Sequence, residues 1–221
     1  MEALDARWCR TRSFARSVDR AQAALEAFAE AHRGRFYIGV SWGKDSVVVA
    51  HLAHTLGLTE PLVDVEVEGL RNPDCMLVRD AYLSRTGQRY DEIMIEAHRD
   101  ADGIHATGTI ERGFELACQR HGTAHVSGVR AMESWKRAAR HRRWGESSPQ
   151  TCAPLSVWRG EDVFAYLHLH QLPVHPAYAM TMGGRLDRSR LRVAWIGLTH
   201  GTGMGRREWE QTYYSDVLAG Q

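Results

Sequence analysis

Apolar residues recur along the chain with two periods, one typical of helices and one typical of strands. Residues three and four apart, such as Val18, Ala21, Leu25 and Phe28, predict a helix over residues 16–32. Short apolar runs between turn-forming residues predict strands. The predicted strands are 36–40, 61–68, 90–96 and 124–129, and the helices between them are 46–56, 73–85 and 110–120. This alternation predicts an α/β fold of three layers, with a mostly parallel sheet between helices.

The pattern of polar and apolar positions also indicates which faces of one strand and one later helix are buried. In the strand 61–68 the acidic residues Asp64, Glu66 and Glu68 alternate with valines, which predicts a strand with one exposed face. Further along, Trp158, Val163, Tyr166 and Leu167 form a helix face that we expect to pack on the sheet.

Composition excludes several classes of protein. The chain has 221 residues and a net charge of +1, which argues neither for nor against nucleic acid as a partner. No apolar run reaches the roughly 18 residues of a membrane span, and residues 1–20 lack the apolar core of a signal peptide. The four cysteines are far apart, which argues against a zinc or iron–sulfur site and fits a reducing cytoplasm. They are Cys9, Cys75, Cys118 and Cys152.

The segment that carries most chemistry follows the first predicted strand. It reads Ser41-Trp42-Gly43-Lys44-Asp45-Ser46 and leads into an apolar helix. Such a loop directs backbone N–H groups and a helix N-terminus at one point, where phosphate binds readily. Two serine hydroxyls and the Lys44 cation add to this, and Asp45 either caps the helix or holds a metal on the phosphates. The alternative is an ordinary β–α turn with no special function.

A second motif follows the strand 124–129. Gly128, Arg130, Glu133 and Arg137 lie in the sequence GVRAMESWKRA, where Arg130 is expected to pair with Glu133 and still reach a phosphate. The alternative is a solvated charged surface. The basic run 140–143 that follows suits a polyanion such as sulfate, pyrophosphate or a nucleic-acid backbone, or is a plain solvated surface.

Together these motifs resemble the PP-loop, or adenine nucleotide α-hydrolase, superfamily of N-type ATP pyrophosphatases. SWGKDS is similar to its SGGKDS loop, and GVRAMES and PLSVWRGEDVFAY are similar to stretches of the phosphoadenosine phosphosulfate (PAPS) reductase-like branch. The resemblance implies a HUP-like fold, a helical lead-in at 1–34, a nucleotide-binding domain at 35–180 and a tail at 181–221. It implies ATP or a PAPS-like nucleotide as ligand, with Mg²⁺ on Asp45 and with Lys44, Asp45 and Arg130 as catalytic residues. The nucleotide-binding residues it implies are Ser41, Trp42, Gly43, Lys44, Asp45, Ser46, Gly128, Arg130, Glu133 and Arg137.

Two departures from the family pattern shape the expected function. Trp42 stands where glycine is usual and is expected to stack on a ligand or wall the pocket. The tail lacks the nucleophilic cysteine of PAPS reductases, so we expect ATP cleavage between its α and β phosphates, with adenylylation of an acceptor. The acceptor, a small molecule or a nucleic acid, stays open. Alternatives are a reductase or sulfur-transfer enzyme using Cys152, and a non-catalytic nucleotide-binding subunit; a homo-oligomer is also compatible with the sequence.

Overall fold

Five parallel strands form the central sheet, in the order β3–β2–β1–β6–β7. The computed structural model describes residues 2–100, 103–105, 109–197 and 206–220. The strands are β1 Phe36–Val40, β2 Leu62–Val67, β3 Tyr90–Ile95, β4 His98–Asp100, β5 Gly103–His105, β6 Ala124–Val126 and β7 Thr151–Cys152, of which β4 and β5 form a separate antiparallel pair. The helices are α1 Glu2–Trp8, α2 Arg12–His32, α3 Lys44–Thr55, α4 Pro73–Thr86, α5 Thr109–His121, α6 Trp135–Trp144, α7 Gly160–Leu169, α8 Arg206–Tyr213 and α9 Ser215–Ala219. Two short 3₁₀ helices span Ala131–Glu133 and Pro176–Ala179.

The two faces of the sheet bury different side chains of the same strand. Phe36, Ile38 and Val40 of β1 pack with residues of α2, α3 and α7, whereas Tyr37 packs on the other side with valines of β2 and Ala117 of α5. Helices therefore cover both faces, and the predicted α/β architecture is confirmed.

The order of the strands reverses beside β1. The chain runs from β1 through β2 to β3 on one side and returns to β6 and β7 on the other. In sheets of this kind, ligands bind beyond the carboxyl ends of the strands at the point of reversal. The loops after β1 and β6 meet at this point.

Strand β2 differs from the predicted half-exposed strand. All six of its residues are buried, including Asp64 and Glu66. The reason is its position between β1 and β3, with α5 on one face and Trp42 and α4 near the other. Alternating polar residues here mark a buried charge network and not a solvent-facing side.

The helix face of Trp158, Val163, Tyr166 and Leu167 is buried, and α7 contacts mainly α1 and α3. Trp158 lies just before α7, and its Nε1 donates to the Ser17 carbonyl at 3.1 Å. α1 lies within the helical lead-in predicted for 1–34 but was not predicted as a separate helix, and α3 begins at Lys44, two residues earlier than expected.

The chain after α7 folds back over the carboxyl edge of the sheet. The Ile196 N–H donates to the Leu70 carbonyl at 2.7 Å and the Asn72 N–H donates to the Ala194 carbonyl at 3.0 Å. Farther on, Trp209 of α8 is fully buried and its Nε1 donates to the Met180 carbonyl at 2.8 Å. No helix in the described ranges combines the length and apolar character that crossing a bilayer requires.

Candidate nucleotide site

Hydrogen bonds among its own residues close the loop between β1 and α3. Ser46 Oγ donates to the Gly43 carbonyl at 3.0 Å and accepts from the Ser41 N–H at 3.2 Å. Gly43 precedes α3 with an extended backbone and no side-chain cap, so the first N–H groups of α3 face the space before the loop. One of them, on Lys44, donates to Tyr178 Oη at 3.0 Å. The geometry suits an anion at the helix N-terminus.

The Trp42 side chain lies in the core and not at the open side of the loop where a ligand would enter. Its side chain is 2 % exposed, and its ring centroid lies 5.9 Å from that of Tyr82 and 5.5 Å from that of Tyr90. The residue has a φ of 53°, in the left-handed region that glycine adopts without strain. The backbone therefore keeps a glycine-like turn while the indole points inward, so the side chain does not wall the pocket as expected.

A chain of alternating charges runs from the loop to α6; we call Lys44, Asp45, Arg130, Glu133 and Arg137 the loop cluster. Lys44 Nζ lies 2.8 Å from Asp45 Oδ2, and Arg130 Nε lies 2.8 Å from Asp45 Oδ1. Arg130 Nη2 lies 3.5 Å from Glu133 Oε1, and Glu133 also pairs with Arg137. Five residues from two distant motifs thus meet at the reversal point of the sheet.

Burial makes this cluster unusual. Lys44 is 4 % exposed and Arg130 is 1 % exposed. Charges of this kind are rarely buried unless they are paired, because losing their hydration is expensive. The Asp45 carboxylate pairs with both cations, but its Oδ1 atom is buried without a hydrogen bond of good geometry. That oxygen keeps capacity for a further partner.

Gly128 is fixed by packing against the loop. A Cβ built on it would lie 2.8 Å from the Asp45 carbonyl carbon and 2.9 Å from the carbonyl oxygen. Only a residue without a side chain lets the strand end of β6 come this close to the first turn of α3. The glycine predicted to contact nucleotide thus holds the two motifs together.

Residues 187–193, which we call the covering segment, lie over the cluster. The Ser189 carbonyl accepts from Arg130 Nη2 at 2.8 Å. Val193 is buried beside Gly43, and its carbonyl accepts from Asn72 Nδ2 at 2.8 Å. Sequence reasoning missed this segment. Its signal was weak, because it has no regular period and its only apolar anchors are Leu191 and Val193.

The glycines and arginines of the tail fall partly outside the described residues, since 198–205 are not among them. Arg206 is described, and it bonds to Glu210 and to the Trp195 carbonyl. Its guanidinium therefore stabilises the tail itself.

A second charged group, which we call the strand cluster, comprises Asp64, Glu66, Arg71, Arg79 and Glu92. Arg71 Nη2 lies 2.8 Å from Glu92 Oε1, and Arg79 Nη1 lies 3.1 Å from Glu92 Oε2. Burial raises the pKa of Glu66 to about 7, and burial together with the Glu66 charge raises the pKa of Asp64 well above its ordinary value. Burial also acts to raise the pKa of Glu92, but hydrogen bonds from Arg71 and Tyr90 lower it.

Neither Cys152 nor Cys75 is placed for nucleophilic chemistry. Cys152 in β7 is fully buried against α2, with its Sγ 3.8 Å from the Ala24 carbonyl oxygen. Burial raises the pKa of the Cys152 thiol to about 11 and raises that of Cys75 as well. The thiolate is the reactive form, so these environments keep both residues inert.

The fold, the loop after β1 and the cations after β6 together define an α/β protein of the PP-loop class. Residues 35–183 match the family model of the phosphoadenosine phosphosulfate reductase domain, and the chain belongs to that family. The predicted resemblance is therefore confirmed.

Two solved structures share the fold. Phosphoadenylyl-sulfate (PAPS) reductase from Candida auris, in a phosphate complex, has a TM-score of 0.52 at 12% identity, covering 74% of this chain and 84% of the reductase. NMN synthetase from Francisella tularensis has a TM-score of 0.53 at 13% identity, covering 93% and 94%. A search of curated proteins found no match.

Proposed function

We propose that this protein binds ATP with its phosphates at the loop 41–46, cleaves it between the α and β phosphates and adenylylates an acceptor. The observation that carries the proposal is the convergence of Lys44, Asp45 and Arg130 at the N-terminus of α3. Membership of a family named for an enzyme of an adenylyl sulfate supports an adenine nucleotide as ligand.

The reaction balances without an oxidant or reductant. An acceptor oxygen forms a bond to the α-phosphorus, the bond from that phosphorus to the bridging oxygen breaks, and pyrophosphate leaves with the negative charge. The acceptor proton passes to solvent. Lys44 and Arg130 face the charge that grows on the leaving group, so their role is positioning and charge neutralisation.

Binding exchanges internal partners for phosphate. Arg130 Nη2 donates to the Ser189 carbonyl, and Lys44 Nζ donates to Asp45. A phosphate oxygen replaces the neutral carbonyl with a charged acceptor, which makes a stronger hydrogen bond to the guanidinium. The covering segment shifts to admit the nucleotide.

The residues present fit Mg²⁺ carried in on the phosphates. Mg²⁺ is usually held by one or two carboxylates together with substrate phosphates and water, and Asp45 offers one carboxylate, whose Oδ1 pairs with Arg130 Nε at 2.8 Å without a well-aligned hydrogen bond. Within the described residues no group of three or more metal-binding side chains forms a separate metal site. Bound there, the ion supplies further neutralisation of phosphate charge.

A reductase using a displaced cysteine has little support. The candidate Cys152 is buried, lies in β7 and has a raised thiol pKa, whereas sulfonucleotide reduction needs an accessible thiolate.

Nucleotide binding is tested by calorimetry on Lys44→Ala. We expect ATP affinity to fall ten- to hundredfold, about 1.5–3 kcal/mol, because a charge-assisted contact is lost. Arg112→Ala, which removes one charge from an exposed position of α5, is the control and leaves the affinity unchanged. Equal ATP affinity in the wild type and Lys44→Ala contradicts the site.

The reaction is tested separately by assaying pyrophosphate and the adenylylated acceptor in the presence of hydroxyl acceptors. The wild-type protein is expected to release pyrophosphate from ATP only with Mg²⁺ present. ATP binding without pyrophosphate release, over a range of hydroxyl acceptors, would leave the chain as a nucleotide-binding module.

A further inference from the structure

Helix α6 carries an exposed aromatic side chain among unpaired cations. Trp135 is 75 % exposed, more than any other large apolar side chain in the described ranges, and Met132 just before the helix is 57 % exposed. Large apolar side chains this exposed and three residues apart in the chain indicate an interaction surface. Trp135 has no part in the proposed nucleotide chemistry, and Met132 contacts that site only through its Sδ, which accepts from Arg130 Nη1 at 3.6 Å.

Helix α6 is also strongly basic. Its ten residues WKRAARHRRW include five lysines and arginines and no acidic residue, although the whole chain has a net charge of only +1. Arg137 pairs with Glu133, and Arg140 bonds to Thr151. Lys136, Arg142 and Arg143 are exposed, and they form no ion pair with any residue that the structure describes.

Helical geometry puts these groups on one side. Trp135 and Arg142 are seven residues apart, so they lie on one line along the helix, two turns apart. Lys136 and Arg143 lie on the neighbouring line, also two turns apart. Arg143 also lies over the Trp144 ring, with its Cζ 5.0 Å from the centroid. The face thus presents the exposed Trp135 ring with Lys136 next to it and two cations two turns farther along the helix.

We infer that this face of α6 binds a single-stranded polynucleotide. Proteins that hold single strands combine cations along the phosphates with an aromatic side chain on which a base stacks. An acidic protein would also satisfy the cations, but a helix with five cations and no carboxylate matches a row of phosphates better. Base-paired strands would leave the ring without an accessible base face. The inference does not depend on the ATP chemistry.

The test is fluorescence anisotropy with labelled DNA and RNA strands of about 20 nucleotides in about 50 mM NaCl. We expect a dissociation constant on the order of 1 μM, and Arg142→Ala/Arg143→Ala is expected to weaken binding at least about tenfold. The matched control Arg89→Ala/Arg112→Ala removes two exposed arginines outside α6, one before β3 and one on α5, and changes binding less than about twofold. The two sugar types separate DNA from RNA as the natural strand.

Stacking and charge have separate signatures. Trp135→Ala should weaken binding by about five- to hundredfold and Trp135→Phe much less, because phenylalanine still offers a ring face. The plot of log affinity against log salt should lose about 1.4 from its slope in Arg142→Ala/Arg143→Ala, two phosphate contacts at about 0.7 each. ATP affinity measured by calorimetry stays unchanged in all these variants.

Three results would overturn the inference. The first is no saturation up to about 100 μM strand at low salt. The second is an equal loss from both arginine pairs, which would mean diffuse attraction. The third is displacement of the strand by poly-glutamate of equal charge with no effect of Trp135→Ala, which would assign the face to acidic proteins.

Discussion

The loop cluster and the strand cluster are neighbouring networks of buried charge with opposite balance. The loop cluster has three cations and two carboxylates, a net charge of +1 when all are ionised. The strand cluster has three carboxylates and two guanidinium groups, a net charge of −1 by the same count, which leaves out the exposed Asp80 that also pairs with Arg79. Each therefore holds one charge in excess.

The two clusters differ in how their excess charge can be neutralised. Glu66 and Asp64 have raised pKa values, so the strand cluster can take up a proton and become neutral within the fold. A guanidinium cannot lose its proton in a protein, so Arg130 keeps its charge. The strand cluster is thus complete by itself, whereas the loop cluster gains most from an anion supplied from outside. This difference supports the proposal that the loop cluster is a binding site and the strand cluster a structural network.

The largest effect is expected from Arg130→Ala. The change leaves Asp45 and Glu133 without their shared buried cation, and removing one partner of a buried pair costs about 3–5 kcal/mol. Urea unfolding measures the loss, and pyrophosphate release should disappear as well. The control is Arg137→Ala, which removes another cation from Glu133 but at a side chain 31% exposed, with a loss of about 1 kcal/mol or less. Similar losses for both variants would mean that burial does not set the difference between them.

Trp42 joins the two clusters, since its backbone lies in the loop and its ring packs against Tyr90 beside the strand cluster. We expect Trp42→Gly to lower the free energy of unfolding by about 3 kcal/mol, because lost ring packing outweighs relief of left-handed strain. Trp158 is equally buried but is not among the residues with positive φ. Trp158→Gly should therefore cost more, by about 1 kcal/mol or above. Equal losses would show that the φ of Trp42 stores no strain.

The strand cluster should reveal itself in the pH dependence of stability. The pKa of Glu66 rises from 4.5 to about 7 on folding, so between these values the folded state holds a proton that the unfolded chain has lost. Stability therefore falls as pH rises from 4.5 to 7, by about 2–3 kcal/mol for this group. Denaturant unfolding across this window should show a flatter profile for Glu66→Gln than for wild type. The control Glu68→Gln, at an exposed site just after β2, should leave the slope of unfolding free energy against pH unchanged. If Glu66→Gln keeps the wild-type slope, another group titrates in this window.

The order of predicted strands, helices and motifs along the chain was enough to predict the α/β fold and that the two motifs lie close together. Parallel strands end at the same edge of a sheet, so the residues after β1 and β6 had to lie close together, as Asp45 and Arg130 do. What nucleotide they bind stays a prediction.

Three features could not be predicted, each for a physical reason. The direction of the Trp42 ring depends on a φ of 53°, which no pattern of hydrophobicity reports. The burial of Asp64 and Glu66 depends on what packs over β2, whereas alternation alone suggests solvent. The covering segment 187–193 follows no period and is held by contacts with distant residues such as Asn72.

The smallest effect is expected from the cysteines, and it tests whether all the chemistry belongs to the loop cluster. Cys152→Ser puts a hydroxyl into an apolar site in β7, which should cost about 1 kcal/mol or somewhat more of stability. Pyrophosphate release and ATP affinity should stay at wild-type values, also when Cys9, Cys75 and Cys118 are changed to Ser, provided that circular dichroism shows the variant folded. The opposite result is sulfite formation from PAPS with thioredoxin in the wild type, abolished by Cys152→Ser in a folded protein. Electrons would then pass through a thiol that the structure buries, and the loop cluster would serve only to hold the nucleotide.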